Sequence, residues 1–167
     1  MSGMLQTGER APEIELRDLA GKVLRPLAPE RGRRGSALVI FFKDDCPTCR
    51  YSLPFVERMK QRLGPKGERI FGVSQDGEER SRAFVESTGV TFPVVLDDRD
   101  YAVSRAYGLS NVPSIFLVDA DGIIRRSIAG FSRSALEGMA SDLAASIGVA
   151  ASPIFEEGEQ VLETKPG

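Results

Sequence analysis

Apolar residues follow two alternating patterns along the chain. Continuous apolar runs of strand length occur at 37–42, 70–73, 92–96 and 115–118. The first run, Ala-Leu-Val-Ile-Phe-Phe, is typical of a strand that is buried on both faces in the middle of a sheet. Apolar residues at helical spacing predict helices over 47–63, from about 76 to 89, over 98–107 and over 134–147. Because the two patterns alternate and a hairpin follows near the end, the sequence predicts an α/β sandwich with a central mixed β-sheet flanked by helices.

Residues that favour turns and helix ends refine these elements. Pro47 suits the first position of the helix over 47–63, and Pro54 in its interior predicts a kink. Two short strands near residues 14–16 and 23–24 are predicted around a turn. Two capping boxes are predicted at later helix starts, formed by Asp76 with Glu79 and by Ser134 with Glu137.

The pattern of regular elements ends at Gly148. Residues 149–167 are mostly small, polar or acidic, and their candidate anchors are Ile154, Phe155, Val161 and Leu162. We therefore predict one domain over residues 1–148 and a C-terminal tail over 149–167. Arginines at 31, 33 and 34 lie beside glycines and predict a solvated loop.

Charge and hydropathy narrow the range of partners. The 167 residues carry 22 Lys and Arg against 24 Asp and Glu, so the net charge of −2 gives no general attraction to nucleic acid or to an anionic membrane. No apolar run is long enough to span a membrane, and the first residues lack the apolar run of a signal peptide. We expect no nucleic acid or membrane partner and a cytoplasmic location, or a periplasmic one if a native leader has been removed.

The two cysteines are the strongest chemical feature of the chain. They form Cys46-Pro47-Thr48-Cys49, and histidine is absent, which excludes His-containing triads and metal sites built from this chain. A cysteine at a strand-to-helix junction lies at the positive end of the helix dipole, which stabilises a thiolate. Such a thiolate attacks a disulfide, and the second cysteine, one turn further on, resolves the mixed disulfide. We expect no metal and no cofactor besides a redox-active Cys46–Cys49 disulfide.

Several ordered motifs over residues 6–148 carry a family resemblance. They are Gly8-Glu9-Arg10-Ala11-Pro12, Val39-Ile40-Phe41-Phe42 before the cysteine motif, Phe92-Pro93-Val94-Val95-Leu96-Asp97, Val112-Pro113, and Phe116-Leu117-Val118-Asp119 with Gly122. In these residues the chain resembles the thioredoxin superfamily, and within it the TlpA-type thiol-disulfide oxidoreductases that grade into the AhpC/TSA redoxins.

The resemblance implies a fold, an activity and a set of site residues. The fold is a thioredoxin-like sandwich, and the activity is disulfide exchange with protein disulfides or dithiols. We expect another dithiol protein to supply the electrons, and we expect the protein to be a monomer. Cys46, Cys49 and Pro113 are implied as catalytic residues, with Val112-Pro113 as a cis peptide beside the cysteines. Val112, Pro47 and Thr48 are implied as substrate-binding residues.

The chain also departs from its relatives in the acids around the motif. Asp45 replaces the tryptophan that usually precedes the first cysteine, Ile40 replaces the buried aspartate of thioredoxin, and Ser52 replaces a glutamate common in TlpA-type proteins. The usual proton acceptor for the second thiol is therefore missing. Asp44 and Asp45 are the remaining candidates for a proton relay.

Two other functions stay open at this point. In a peroxiredoxin-like thiol peroxidase of the AhpC/TSA type, Cys49 would be the peroxidatic cysteine. That hypothesis is weakened because Cys46 stands where peroxiredoxins have a threonine and Pro113 where they have an arginine. A copper-delivering protein on the same fold typically needs a longer cysteine spacing and a histidine, although two thiolates can hold Cu(I).

Overall fold

The computed structural model describes residues 3–28 and 35–167, so the three arginines at 31, 33 and 34 lie outside the described residues. The strands are β1 Leu16–Arg17, β2 Val23–Leu24, β3 Ala37–Phe42, β4 Ile70–Ser74, β5 Val94–Leu96, β6 Ser114–Val118, β7 Ile124–Ala129, β8 Phe131–Ser132 and β9 Thr164–Lys165. Five of them form the central sheet in the order β5-β4-β3-β6-β7. Strands β3, β4 and β5 are parallel, and β6 and β7 run antiparallel to their neighbours, which confirms the predicted mixed sheet.

Four helices accompany the strands in the described part of the chain. They are α1 Pro47–Leu63, α2 Glu78–Thr88, α3 Ala102–Ala106 and α4 Arg133–Ser146, and a 3₁₀ turn over Gly64–Gly67 follows α1. The bounds of α1 match the prediction, and Pro54 lies inside the continuous helix. Within residues 3–28 and 35–167, no helix is both long and apolar enough to cross a membrane.

The start of α2 differs from the prediction. Gly77 is the N-cap and makes no side-chain capping bond, so the predicted capping box of Asp76 and Glu79 is wrong. The carboxylate of Asp76 instead accepts a hydrogen bond of 2.7 Å from the backbone N–H of Asp44, which follows the neighbouring strand β3. Asp76 is buried, and its carboxylate bridges the loop after β3 and Arg80 of α2, at 3.9 Å, instead of capping the start of the helix.

The start of α4 also differs from the prediction, because the acidic residue of the predicted box binds a distant segment. Ser132 is the N-cap, and its hydroxyl accepts a hydrogen bond from the Ala135 N–H, so the predicted box of Ser134 and Glu137 is wrong. The Glu137 carboxylate instead accepts the backbone N–H groups of Ile154 and Phe155, at 3.0 and 3.1 Å. Glu137 thus holds a later segment against α4.

Helix α3 is shorter than the predicted helix over 98–107. Asp100 and Tyr101 have φ of 58° and 50°, which takes the backbone out of the right-handed helical region just before the helix begins. The carboxylate of Asp97 accepts the N–H groups of Val103 and Ser104, at 3.2 and 2.7 Å. These bonds satisfy the first free N–H groups of α3 and fix its start at Ala102.

The core lies on both faces of the sheet, and β3 runs through its centre. Leu38, Ile40 and Phe42 face one apolar cluster, which includes side chains of α1, α2 and α4. Val39 and Phe41 face the other cluster, which is closed by the N-terminal segment and residues near α3. Every residue of β3 is buried, as its continuous apolar run predicts.

The predicted tail packs against the domain. Ile154 and Phe155 are buried in the core cluster around α1 and α4, and Val161 packs against it, as expected for anchors. Leu162 is 49% exposed, so its predicted anchoring role is wrong. Further along, β9 pairs antiparallel with β8, which directly precedes α4. The boundary between a domain over 1–148 and a tail over 149–167 stays a prediction.

Replacing Phe41 with alanine should lower the free energy of unfolding by about 3–5 kcal/mol, the usual cost of removing a buried aromatic ring. The ring is fully buried, and its centroid lies 5.0 Å from that of Tyr107 and 5.8 Å from that of Phe116. Urea unfolding followed by circular dichroism measures the change. Val23→Thr, at a position that is 44% exposed, is the control and should change stability by about 0.5 kcal/mol or less. A loss below about 1 kcal/mol for Phe41→Ala would contradict this packing.

Candidate active site

The cysteine motif lies between the end of the central strand β3 and the first turn of α1. Four residues after the end of β3, Cys46 adopts an extended backbone and caps the helix, and Pro47 occupies its first turn. The Cys49 backbone N–H donates a hydrogen bond of 3.0 Å to the Cys46 sulfur. Both cysteines are free thiols. The sulfur of Cys46 therefore receives one of the unpaired N–H groups at the start of α1.

Cys49 lies one helical turn further in and is fully buried. Burial raises the pKa of the Cys49 thiol far above its ordinary value, and its hydrogen bond with Cys46 acts in the same direction. The negative charge of Asp45 also raises this pKa, whereas a hydrogen bond with the backbone of Lys43 lowers it. At neutral pH the second thiol is thus held in its protonated form.

Strand pairing places Pro113 against the cysteines. Strand β6 runs antiparallel to β3 with Ser114 opposite Phe41, so Pro113, just before β6, lies near the end of β3. The Val112-Pro113 peptide bond is cis, as the resemblance implied. The Val112 carbonyl oxygen accepts a contact of 3.4 Å from the Cys46 sulfur. The three predicted catalytic residues are therefore brought together by the topology of the sheet.

The segment after β9 also reaches this site. The hydroxyl of Thr48 donates a hydrogen bond of 2.5 Å to the carbonyl of Pro166, and Gly167 lies against the Val112 carbonyl. Cys46 is only 9% exposed, although it lies at the start of α1. Thr48 is buried as well, whereas Pro47 faces solvent. That Val112, Pro47 and Thr48 bind substrate stays a prediction.

Two aspartates at the end of the sheet form an acidic pair that sequence inspection missed in part. Asp44 is half-buried, and one of its carboxylate oxygens bonds to Arg80 at 2.9 Å, while the other is buried without a hydrogen-bond partner among the described atoms. Asp76 accepts the Asp44 N–H, and burial raises the pKa of its carboxyl. Asp45 lies exposed beside the pair.

The register of the sheet contains the information that would have identified Asp76. Ser74 pairs with Phe42 in parallel strands, so the residues that follow β4 and β3 emerge at one edge of the sheet. Asp76 and Asp44 each stand two residues beyond these partners. Within the described ranges, no group of three or more Cys, Asp or Glu side chains is placed to hold a metal ion.

The two positions where relatives carry an acid are apolar or neutral here. Ile40 is fully buried in the core cluster, and the Ser52 hydroxyl, also buried, donates a hydrogen bond of 2.6 Å to the Thr48 carbonyl. Neither position supplies a carboxylate to Cys49. The roles of Asp44 and Asp45 as a proton relay therefore stay a prediction.

Known proteins with similar folds include oxidoreductases and a peroxidase. A thiol:disulfide interchange protein from Bacteroides sp. superposes with a TM-score of 0.63 at 29% identity, over 74% of this chain and 81% of that one. Peroxidoxin BcpB from Mycobacterium tuberculosis superposes with a TM-score of 0.63 at 18% identity, over 86% of this chain and 95% of its own, which shows the shared fold alone.

Sequence comparison identifies the family of this chain more specifically than the shared fold does. The thiol-disulfide oxidoreductase ResA of Geobacillus thermodenitrificans is 32% identical over 125 residues, which cover 74% of this chain and 69% of that protein. The sequence profile of the AhpC/TSA family matches residues 7–127, which contain the cysteine motif and the cis-proline. The chain belongs to the AhpC/TSA family within the thioredoxin superfamily.

Proposed function

We propose that this protein is a thiol-disulfide oxidoreductase that exchanges disulfides with protein partners through Cys46 and Cys49. The observation that carries the proposal is the pairing of two unlike thiols one helical turn apart. The Cys46 sulfur accepts the Cys49 N–H at the start of α1, and Cys49 is buried behind it. The similarity to the oxidoreductase ResA supports the same activity.

The exchange proceeds in two balanced steps. The Cys46 thiolate attacks one sulfur of a partner disulfide, so that a mixed disulfide forms and the partner's other sulfur leaves as a thiolate. Cys49 loses its proton and attacks the Cys46 sulfur, which forms the Cys46–Cys49 disulfide and releases the partner's second thiolate. The partner gains two electrons and two protons, and the protein dithiol is oxidised to a disulfide. A further dithiol protein restores the reduced form, and the whole sequence can also run in reverse.

Val112 and Pro113 give the partner a place to bind. The Val112 carbonyl lies beside the Cys46 sulfur, and an extended partner segment can pair with this backbone by strand addition. Thr48 lies in the first turn of α1, between the two cysteines. We propose these residues, with the exposed Pro47, as the substrate-binding surface of a protein that acts as a monomer and needs no cofactor besides its two sulfurs.

A thiol peroxidase with Cys49 as the peroxidatic cysteine is less well supported. Only the thiolate of a cysteine is the nucleophile, and burial raises the pKa of Cys49. Its sulfur is fully buried, so peroxide has no direct access to it. One sample of reduced protein separates the two activities, because the oxidoreductase reduces a protein disulfide such as that of insulin without consuming hydrogen peroxide.

The Cys49→Ser variant should accumulate a mixed disulfide between Cys46 and a partner, because the resolving thiol is gone. Reaction with oxidised insulin, followed by a non-reducing gel and peptide mass spectrometry, identifies the linked cysteine. Cys46→Ser is the matched control and should form little or no adduct. If peptide mapping of the wild-type protein finds Cys49 to be the thiol alkylated first at pH 7, the assignment of the two roles is wrong.

Resolution of the mixed disulfide should become faster as pH rises between 6 and 9. Because burial raises the pKa of Cys49, its thiolate is scarce throughout this range and increases about tenfold for each pH unit. Single-turnover kinetics with a preformed mixed disulfide measure the rate. A rate that does not change with pH would show that deprotonation of Cys49 does not limit the step.

Asp45→Asn should accelerate resolution below pH 8 by roughly twofold, because it removes a screened negative charge that raises the pKa of Cys49. Asp44→Asn tests the adjacent carboxylate in the same way, by the rate of resolution. A slower rate in either variant would instead assign that carboxylate to the proton relay, since a relay is lost with the acid whereas a repulsive charge is relieved.

A further inference from the structure

The low exposure of Cys46 needs a cause, because the start of a helix at the end of a sheet is ordinarily open to solvent. Its sulfur is the proposed nucleophile, yet the residue is 9% exposed, and neighbouring Thr48 is 4% exposed. Among the described residues, Val112 and the segment 163–167 reach this surface from elsewhere in the chain, and we call residues 163–167 the covering segment.

Contacts at both ends fix the position of the covering segment. At its start, β9 pairs with β8 in antiparallel register, with Lys165 opposite Phe131, and the Arg133 N–H donates a 2.8 Å bond to the Glu163 carbonyl. At its end, the Pro166 carbonyl accepts the Thr48 hydroxyl. The segment therefore crosses from β8 to the cysteine motif as an extended strand.

Gly167, the last residue of the covering segment, lies against the Val112 carbonyl, with which an extended partner would pair. A Cβ atom built on Gly167 would collide with the Val112 carbonyl, the same group that lies 3.4 Å from the Cys46 sulfur. Only glycine, which has no side chain, fits so close to this backbone. The covering segment thus occupies the surface on which an extended partner would pair with Val112.

The contacts of the covering segment are few and, apart from its bond to the buried Thr48, lie at the surface, so few contacts must break for it to be displaced. Its side chains are exposed except for the half-buried Lys165, and its strand pairing is two residues long. The ion pair between Arg133 and Glu163 spans 3.8 Å, with the Glu163 side chain 77% exposed, and pairs of this kind contribute little.

The chain just before the covering segment is held firmly. Ile154 and Phe155 are buried, and the Arg58 guanidinium makes two bonds, at 2.7 and 2.9 Å, to the Glu159 carboxylate. A segment tethered to such an anchor has a high effective concentration at its binding surface. It therefore returns to the site whenever no partner is bound.

We propose that residues 163–167 act as an autoinhibitory segment, which occupies the partner-binding surface at Cys46 and Val112 and must be displaced before an extended partner disulfide can react. This inference rests on the proposed function, since it concerns access of partners to the same site. It assigns the C-terminal tail a role in regulating the reaction rather than in catalysis.

Two full-length variants that weaken the covering contacts test the proposal. Gly167→Leu places a side chain against the Val112 carbonyl, and Lys165→Pro removes the backbone N–H that faces Phe131 in the β8–β9 pair. In both, iodoacetamide at pH 7 should alkylate Cys46 of the reduced protein about tenfold faster or more, because an uncovered minor state is populated at roughly 10% or less in the wild type. Peptide mass spectrometry assigns the alkylated cysteine.

Leu162→Ala is the matched control, because this side chain is 49% exposed just outside the covering segment, and it should alkylate at the wild-type rate. Thermal unfolding of each variant shows that faster alkylation does not come from global unfolding. Wild-type alkylation rates in both Gly167→Leu and Lys165→Pro would overturn the proposal.

Reduction of insulin by the same variants separates this inference from the proposed function. We expect the two opened variants to reduce insulin faster than the wild type at subsaturating insulin, by a factor similar to the gain in alkylation. Faster alkylation together with slower insulin reduction would overturn autoinhibition, since the segment would then assist the partner. Absence of insulin reduction in every form, including the wild type, would overturn the proposed function while the alkylation rates still report whether the segment covers Cys46.

Discussion

The antiparallel pairing of β3 with β6 is the constraint on which the site depends. Strand β3 lies in the middle of the sheet with both faces buried, so its end is fixed by the core rather than by the loop that follows. The pairing of Phe41 with Ser114 then fixes Pro113 beside the end of β3. Two segments about 65 residues apart in sequence meet at the Cys46 sulfur because each is attached to the same pair of strands.

The same geometry makes the two thiols different. Cys46 caps α1 and accepts an N–H group at the positive end of the helix, whereas Cys49 lies one turn inside, where burial raises its pKa. An exchange reaction benefits from this difference. In the proposed exchange, Cys46 attacks the partner disulfide, and the Cys49 thiol stays protonated until it resolves the mixed disulfide. The helix supplies both conditions with a single turn of backbone.

The central sheet and α1 could be predicted from the sequence because the information is local. The apolar run at 37–42 predicts a buried strand, and the helical spacing after Pro47 predicts the helix that begins there. The cis peptide before Pro113 was expected only through the family resemblance, since an ordinary X-Pro bond is trans in most cases. Elements whose pattern is local could therefore be placed in advance.

The capping residues and the tail could not be predicted, because their partners are distant in sequence. Asp76 and Glu137 have the residue types and spacing of capping boxes, yet their carboxylates accept N–H groups 32 and 17 residues away. A buried carboxylate favours whichever donors the fold brings to it, and local spacing does not encode that choice. Strand β9 is two residues long, too short for an alternating pattern to identify.

The covering segment connects the long-range contacts of Glu137 and the short strand β9 to the proposed function. Its position follows from Glu137, which holds Ile154 and Phe155, and from the Arg58–Glu159 pair that precedes it. Its hydrogen bond from Thr48 and its contact with the Val112 carbonyl are made with the surface where an extended partner would lie. A partner would therefore exchange one set of backbone contacts for a similar set, and the net free energy of that exchange depends on how well the partner's own sequence fits. Under this proposal, a segment anchored in the core would let the covered site discriminate between partners.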